Sequence, residues 1–154
     1  MKKTDLVEIP GEWNIHYSYA AGEITSRFLA TLRDEGKILA TKCDKCGLVI
    51  LPPRSYCERC FVPISKFTEV GNEGTLTCFS VIYEPFPGLP EPPYVIGFVK
   101  LDGADTSMVN FVDGVDLKDL SSALKKIRVG ARVKVIYKKE RVGRVTDFSY
   151  RLIK

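Results

Sequence analysis

A mainly β fold is what this 154-residue sequence predicts, on three observations. Five segments in the second half are rich in Val, Ile, Thr and aromatic residues and are bounded by turn formers. Helical periodicity occurs near the N-terminus and in one short stretch among the strand candidates. Between the first helix and the strands, Cys43 and Cys46 form one C-x-x-C pair and Cys57 and Cys60 another, with ten residues between. The 45% hydrophobic and 27% charged content is that of an ordinary soluble globular protein. The length suits one domain, or two small ones sharing an interface.

Residues 1–20 contain Trp13, His16, Tyr17 and Tyr19 in a segment with no clean period. From Ala21 the pattern becomes helical: Ile24, Phe28 and Leu32 recur every four residues with Leu29 alongside, and Gly36 is placed to stop the helix. A single apolar stripe must pack on something later in the chain. The N-terminal helical segment therefore covers residues 1–36, the cysteine-bearing unit residues 37–65, and a β domain residues 66–154.

Lys37 to Lys42 leads as a strand into the first C-x-x-C. Gly47 after it suits the positive φ of a tight turn. Leu48 to Leu51 is a second short strand, ended by Pro52 and Pro53, which cannot donate to a ladder. Two thiolates on each of two tight turns can close a tetrahedral S₄ shell, the pattern of a zinc ribbon. Two disulfides would need an oxidising compartment, to which nothing here points. A redox C-x-x-C motif usually occurs once, near a βαβ pattern. Iron suits the same S₄ shell as zinc. A closed shell leaves no open position for substrate, so the metal is expected to be structural. Cys78 stands apart, and is read as a small buried hydrophobe.

The β domain offers strands at residues 75–83, 94–101, 107–112, 131–138 and 145–152, with a helical stretch (Leu117, Leu120, Leu124) between the third and fourth. The order β-β-β-α-β-β is that of an OB-fold, a five-stranded, partly open barrel. Gly97 suits the bend such a barrel needs. Between the first two strands, residues 84–93 hold five prolines, a stiff extended loop that is either a connector or a docking element. In the second strand Tyr94, Ile96 and Phe98 lie on one side and Val95, Val99 and Leu101 on the other. A strand apolar on both faces is expected to be covered on both, by the N-terminal helix, another protein or an apolar ligand.

Charge is unevenly divided. Residues 125–154 carry 11 Lys or Arg against two acids, a net of +9, while the whole chain is +4. A localised basic surface suits phosphates of a nucleic acid or of a nucleotide-bearing cofactor, or is a solvated face. Single-strand binders interleave exposed aromatics with cations. Here the cations sit on the last two strands and the aromatics on the second and third, which suits a ligand with an apolar arm and a phosphate-rich head. No signal-peptide core and no membrane-length apolar run is seen, so a cytoplasmic location is expected. No G-x-S-x-G, phosphate loop or paired carboxylate motif occurs, and His16, the sole histidine, has no nucleophile beside it. No catalytic residue is assigned.

The run from Phe28 to Cys60, together with residues 71–83 (GNEGTLTCFSVIY), 92–103 (PPYVIGFVKLDG) and 127–135 (IRVGARVKV), resembles a family of acyl-CoA-associated proteins. These combine a rubredoxin-like zinc ribbon with an OB-fold, and the resemblance spans about residues 24 to 138. It implies a non-catalytic accessory subunit in lipid metabolism, working beside a thiolase or related acyl-CoA condensing enzyme. In archaeal relatives it bridges an acetoacetyl-CoA thiolase and hydroxymethylglutaryl-CoA synthase and helps to hold CoA. Many relatives have lost cysteines, whereas Cys43, Cys46, Cys57 and Cys60 are all present here, in keeping with bound Zn²⁺. On that reading Tyr83, Phe86 and Tyr94 would hold the pantetheine of an acyl-CoA, and Arg132, Lys134 and Lys138 its phosphates. The alternative is a nucleic-acid-binding ribbon and barrel, an analogy of fold alone.

Overall fold

The computed structural model describes residues 8–117 and 119–153. Helix α1 (Glu23–Glu35) opens the ordered body, and Gly36 closes it in the left-handed conformation at φ 64° and ψ 41°. Its stripe is the expected one except for Ile24, which is half-buried and outside the core cluster. Phe28 and Leu32 are buried and Leu29 packs against the same core.

The ribbon is a three-stranded antiparallel sheet of β1 (Leu39–Lys42), β2 (Val49–Ile50) and β3 (Phe67–Glu69), in the order β2-β1-β3. Strand β3 was not among the sequence candidates, because three residues are too short to show alternation. It is set by pairing with β1, Ala40 opposite Thr68.

The barrel consists of β4 (Glu73–Ile82), β5 (Tyr94–Leu101), β6 (Met108–Asp113), β7 (Arg132–Tyr137) and β8 (Phe148–Leu152), closed in the order β4-β5-β6-β8-β7. Strand β4 also pairs with β7, and β6 runs parallel to β8, the OB-type closure. Helix α2 (Leu120–Lys126) lies between β6 and β7, and a 3₁₀ turn (Val145–Asp147) leads into β8.

The main core joins ribbon and barrel, with Phe28, Leu32, Ile38 and Leu51 meeting Leu76, Val99, Leu101, Val133, Phe148 and Tyr150, while Ile50 and Ile64 form a second, smaller cluster with Cys43 and Cys57. The β5–β6 turn clips the two units. Asp105 and Val49 exchange backbone and carboxylate bonds at 2.8 Å, and the Thr106 hydroxyl binds the N–H and C=O of Leu51 at 2.7 Å. Helix α1 packs on β1 and on the 3₁₀ turn. Arg141 fastens it, donating from Nε to the Arg33 carbonyl (3.0 Å) and from Nη1 to the Lys138 carbonyl (3.1 Å). A guanidinium at the helix C-terminus satisfies an orphan carbonyl and complements the dipole.

Several expectations are corrected. Cys78 is exposed. A β-bulge between Leu76 and Cys78 shifts the alternation of β4, so Leu76, Phe79 and Val81 face the core and Cys78 and Ser80 face out. Gly97 serves packing: a Cβ there would meet Leu76 Cδ1 at 2.6 Å and Val112 Cγ2 at 2.8 Å. Helix α2 buries Ala123, Ile127 is buried just beyond its end, and Leu124 turns to solvent. Of the covers expected for the outer face of β5, helix α1 is not the one, since it packs on β1 and the 3₁₀ turn and Phe98 is 46% exposed. Among the described residues no helix is long and apolar enough to cross a membrane.

Candidate metal centre and ligand cleft

The two cysteine turns are near copies. Gly47 N–H donates to the Cys43 carbonyl (2.8 Å) and Phe61 N–H to that of Cys57 (2.9 Å). Likewise Cys43 N–H donates to Leu48 and Cys57 N–H to Val62, both at 2.9 Å. The residue after each pair has positive φ, Gly47 at 75° and Phe61 at 53°. These loops bring all four sulfurs within 4.8 Å of one another, with Cys46 Sγ 3.7 Å from Cys57 Sγ. A tetrahedral shell with metal–sulfur bonds of about 2.3 Å spaces its sulfurs about 3.8 Å apart. The Cys46–Cys57 separation already has that spacing, and the cluster as a whole is the donor set of a four-sulfur metal site. Burial pushes the Cys57 thiol up, but N–H groups of Cys60 and Arg59 overcome this and hold it at about 7. The Cys46 sulfur first, and burial second, push Cys60 up to about 12. Four thiols this close cannot all ionise without a cation among them, which is the chemistry a divalent ion supplies. Cys43 and Cys57 are fully buried, and four sulfurs complete a tetrahedral shell.

A second feature lies at the barrel end beneath the prolyl loop. A cleft of about 480 Å³ is lined by Pro90 and Pro93 of the loop, Tyr94, Phe111, Leu117, Ile136 and Phe148, with Lys138 among its walls. Tyr94 and Phe111 meet edge to face, ring centroids 5.6 Å apart. The floor is rigid: Phe148 packs edge-on against Tyr150 at 5.6 Å, and Tyr150 donates to the Met108 carbonyl at 3.2 Å. Lys138 stands at the start of a loop organised by Asp147, whose Oδ2 accepts from the N–H groups of Val142 (2.8 Å), Gly143 (2.7 Å) and Arg144 (2.9 Å). Burial alone would raise the Asp147 carboxyl, but these three N–H groups and the Lys138 charge hold it below its ordinary range.

The residues nominated from the sequence fall into three places. Tyr94 and Lys138 line the cleft. Tyr83 and Phe86 are each 54% exposed, at and just beyond the end of β4 where the prolyl loop begins. Arg132 and Lys134 lie toward the opposite end of β7. Arg132 forks onto Asp102 (2.8 and 2.6 Å) and reaches Glu73 at 3.3 Å, so its guanidinium is already paired. Its Asp102 hydrogen bond, offset in part by desolvation, holds its pKa raised. Phe111 and Asp147 were not nominated. Asp147 is one of only two acids in residues 125–154, against 11 Lys or Arg, a signal that could have found it. Phe111 becomes a partner of Tyr94 only through β5–β6 register, Ile96 opposite Phe111.

Two family profiles match the chain. Residues 30–64 match the rubredoxin-like zinc ribbon domain of ChsH2, and residues 67–138 match the ChsH2 C-terminal OB-fold domain. Among solved structures, a protein of unknown function from the DUF35 family of Sulfolobus solfataricus is similar with a TM-score of 0.62 and 23% identity, over 86% of this chain and 87% of that one. An Ltp2–ChsH2(DUF35) aldolase is similar with a TM-score of 0.60 and 18% identity, over 87% of this chain and 97% of that one. At these identities the structural likeness is one of fold. No curated protein matches the chain.

Proposed function

We propose that this chain, which belongs to the ChsH2 family of a rubredoxin-like zinc ribbon joined to an OB-fold, is the acyl-CoA-binding, non-catalytic accessory subunit of a thiolase or related acyl-CoA condensing enzyme. One observation carries the ligand half of this reading. The 480 Å³ cleft joins apolar aromatic walls to a lysine, and that is the division of an acyl-pantetheine arm from a phosphate-bearing head. Lys134, Ile136 and Lys138 alternate along one side of β7, so a phosphate-rich head leaving the cleft at Lys138 would meet Lys134 about 13 Å further along. Arg132 is left to its structural pairs with Asp102 and Glu73. The partner half is supported by the similar chain found in an Ltp2–ChsH2(DUF35) aldolase. The metal, a zinc ion in this reading, holds the ribbon on which α1 and the β5–β6 turn are mounted, and takes no part in ligand chemistry. Against a nucleic-acid role stands the employment of Arg132 and Arg141 in internal bonds, which takes two guanidinium groups of the basic third out of phosphate binding.

Calorimetric titration with acetyl-CoA and with a single-stranded oligonucleotide, each at two salt concentrations, tests this. Saturable acetyl-CoA binding is expected, weakened about tenfold by Lys138→Gln through the lost charge-assisted bond. Tight, salt-sensitive oligonucleotide binding with no response to acetyl-CoA would overturn it.

A further inference from the structure

Two apolar surfaces are left uncovered among the described residues. The first is the outer face of β4, β5 and β6. Strand register sets Cys78, Phe98 and Val109 in one row and Ser80, Ile96 and Phe111 in the next. Phe98 is 46% and Val109 44% exposed. Apart from Ser80 these rows are apolar, and they carry no charged residue. The second is the arm before α1. Its sequence over residues 1–20 shows no clean period, yet from Trp13 onward every second residue is apolar: Trp13, Ile15, Tyr17 and Tyr19. The structure bears the alternation out locally, since the rings of Tyr17 and Tyr19 lie on one side with centroids 6.2 Å apart. All four stand clear of the body, at 63–88% exposure.

The two surfaces match in period. Apolar side chains two residues apart on an extended arm recur about every 6.6–6.8 Å, and so do Phe98 and Ile96 along β5. The arm pairs with no strand among the described residues, and the free edge of the ribbon, β3, is only three residues long. The barrel is closed, and β2 is capped by Asp105 and Thr106. What the arm fits is therefore a face, through its side chains. Among the described residues of one chain both surfaces stay bare. A second copy covers both at once, because a two-fold exchange buries each arm on the other's face. The area suffices: three aromatics per arm at about 150–250 Å² each, counted in both directions, reach about 900–1,500 Å² before the covered faces are added. Stable interfaces bury about 1,200–2,000 Å² in total.

We infer that this protein forms a symmetric dimer in which the residue 13–19 arm of each copy lies across the β4–β5–β6 face of the other. The face meets the acyl-CoA cleft proposed above at Phe111, but dimerisation does not depend on that cleft being a ligand site. Light scattering on the eluting full-length protein should give twice the chain mass of 17.3 kDa. Trp13→Ala/Tyr17→Ala and, separately, Phe98→Ser should each return it to the monomer with an unaltered circular-dichroism spectrum. Trp13 and Tyr17 are largely exposed and Phe98 lies on the outer face of the barrel, outside its core cluster, so the fold survives both changes. Cys78 supplies a second readout, since a Tyr17→Cys variant treated with diamide should link to Cys78 of the other copy and run as a covalent dimer, lost in Tyr17→Cys/Cys78→Ser. A monomeric native protein, a dimer indifferent to the arm and face variants, or a linkage closed within one chain would each overturn the inference. Loss of acetyl-CoA binding with the dimer intact would count against the ligand site alone.

Discussion

At the scale of single residues, Asp147 does the most for the proposed site, because it fixes the loop that carries Lys138. Its carboxylate gathers three backbone N–H groups and is itself 2% exposed. Removing it leaves those donors to find water or go unpaired, a loss of about 1–3 kcal/mol. The folded-state pKa lies below the ordinary carboxylate range. Asp147 therefore contributes its full stability above that range and loses it as pH falls through and below it. Asp147→Ala should lower the denaturation midpoint at pH 7. In Asp147→Asn the acid limb of the stability profile should flatten, since no proton is taken up on unfolding there. Urea titrations between pH 3 and pH 7 check both; an acid limb unchanged in the Asn variant would contradict the role. Arg132 teaches the opposite lesson about charge. In the sequence it belongs to a basic run, yet its partner Asp102 lies 30 positions away, and only the closure of β4 on β7 brings them together.

At the scale of elements, the cysteine knuckles hold the ribbon and the ribbon holds part of the common core. Ile38, Ala40 and Leu51 belong to the same apolar cluster as the barrel's Leu76 and Val133. Loss of the metal should therefore destabilise the whole chain in one transition instead of melting the ribbon alone. One ion per chain is expected by elemental analysis, and the protein is expected to be colourless if that ion is zinc. Chelation, or Cys57→Ser, should lower the melting temperature by about 10 °C or more, as a loss of several kcal/mol does in a chain of this size. A barrel transition unmoved by metal removal would show that the two units are energetically independent. The knuckles were legible beforehand because two residues between cysteines is a spacing fixed by ligand geometry. Strand β3 was not, because its three residues carry no period of their own and depend on β1 for their register.

At the scale of the whole molecule, the barrel's strand order and the helix between its third and fourth strands were readable because each strand is several residues long and β-branched. The bulge at Leu76–Cys78 was not. It reverses which side chains of β4 face inward, and so turned Cys78 from an expected core residue into a surface one. The cleft shows the same limit. Tyr94 and Lys138 could be nominated singly, but their meeting with Phe111, Pro90 and Pro93 follows from barrel closure and the path of the prolyl loop. Amide chemical shifts of the ¹⁵N-labelled protein, followed during addition of acetyl-CoA, test the proposed ligand site most directly. Saturating shifts should cluster on Tyr94, Phe111 to Leu117, Tyr137, Lys138 and Thr146, the lining of the cleft, with Lys134 following the phosphates. Shifts confined to residues away from these, or no shifts at all, would contradict acyl-CoA binding beneath the prolyl loop.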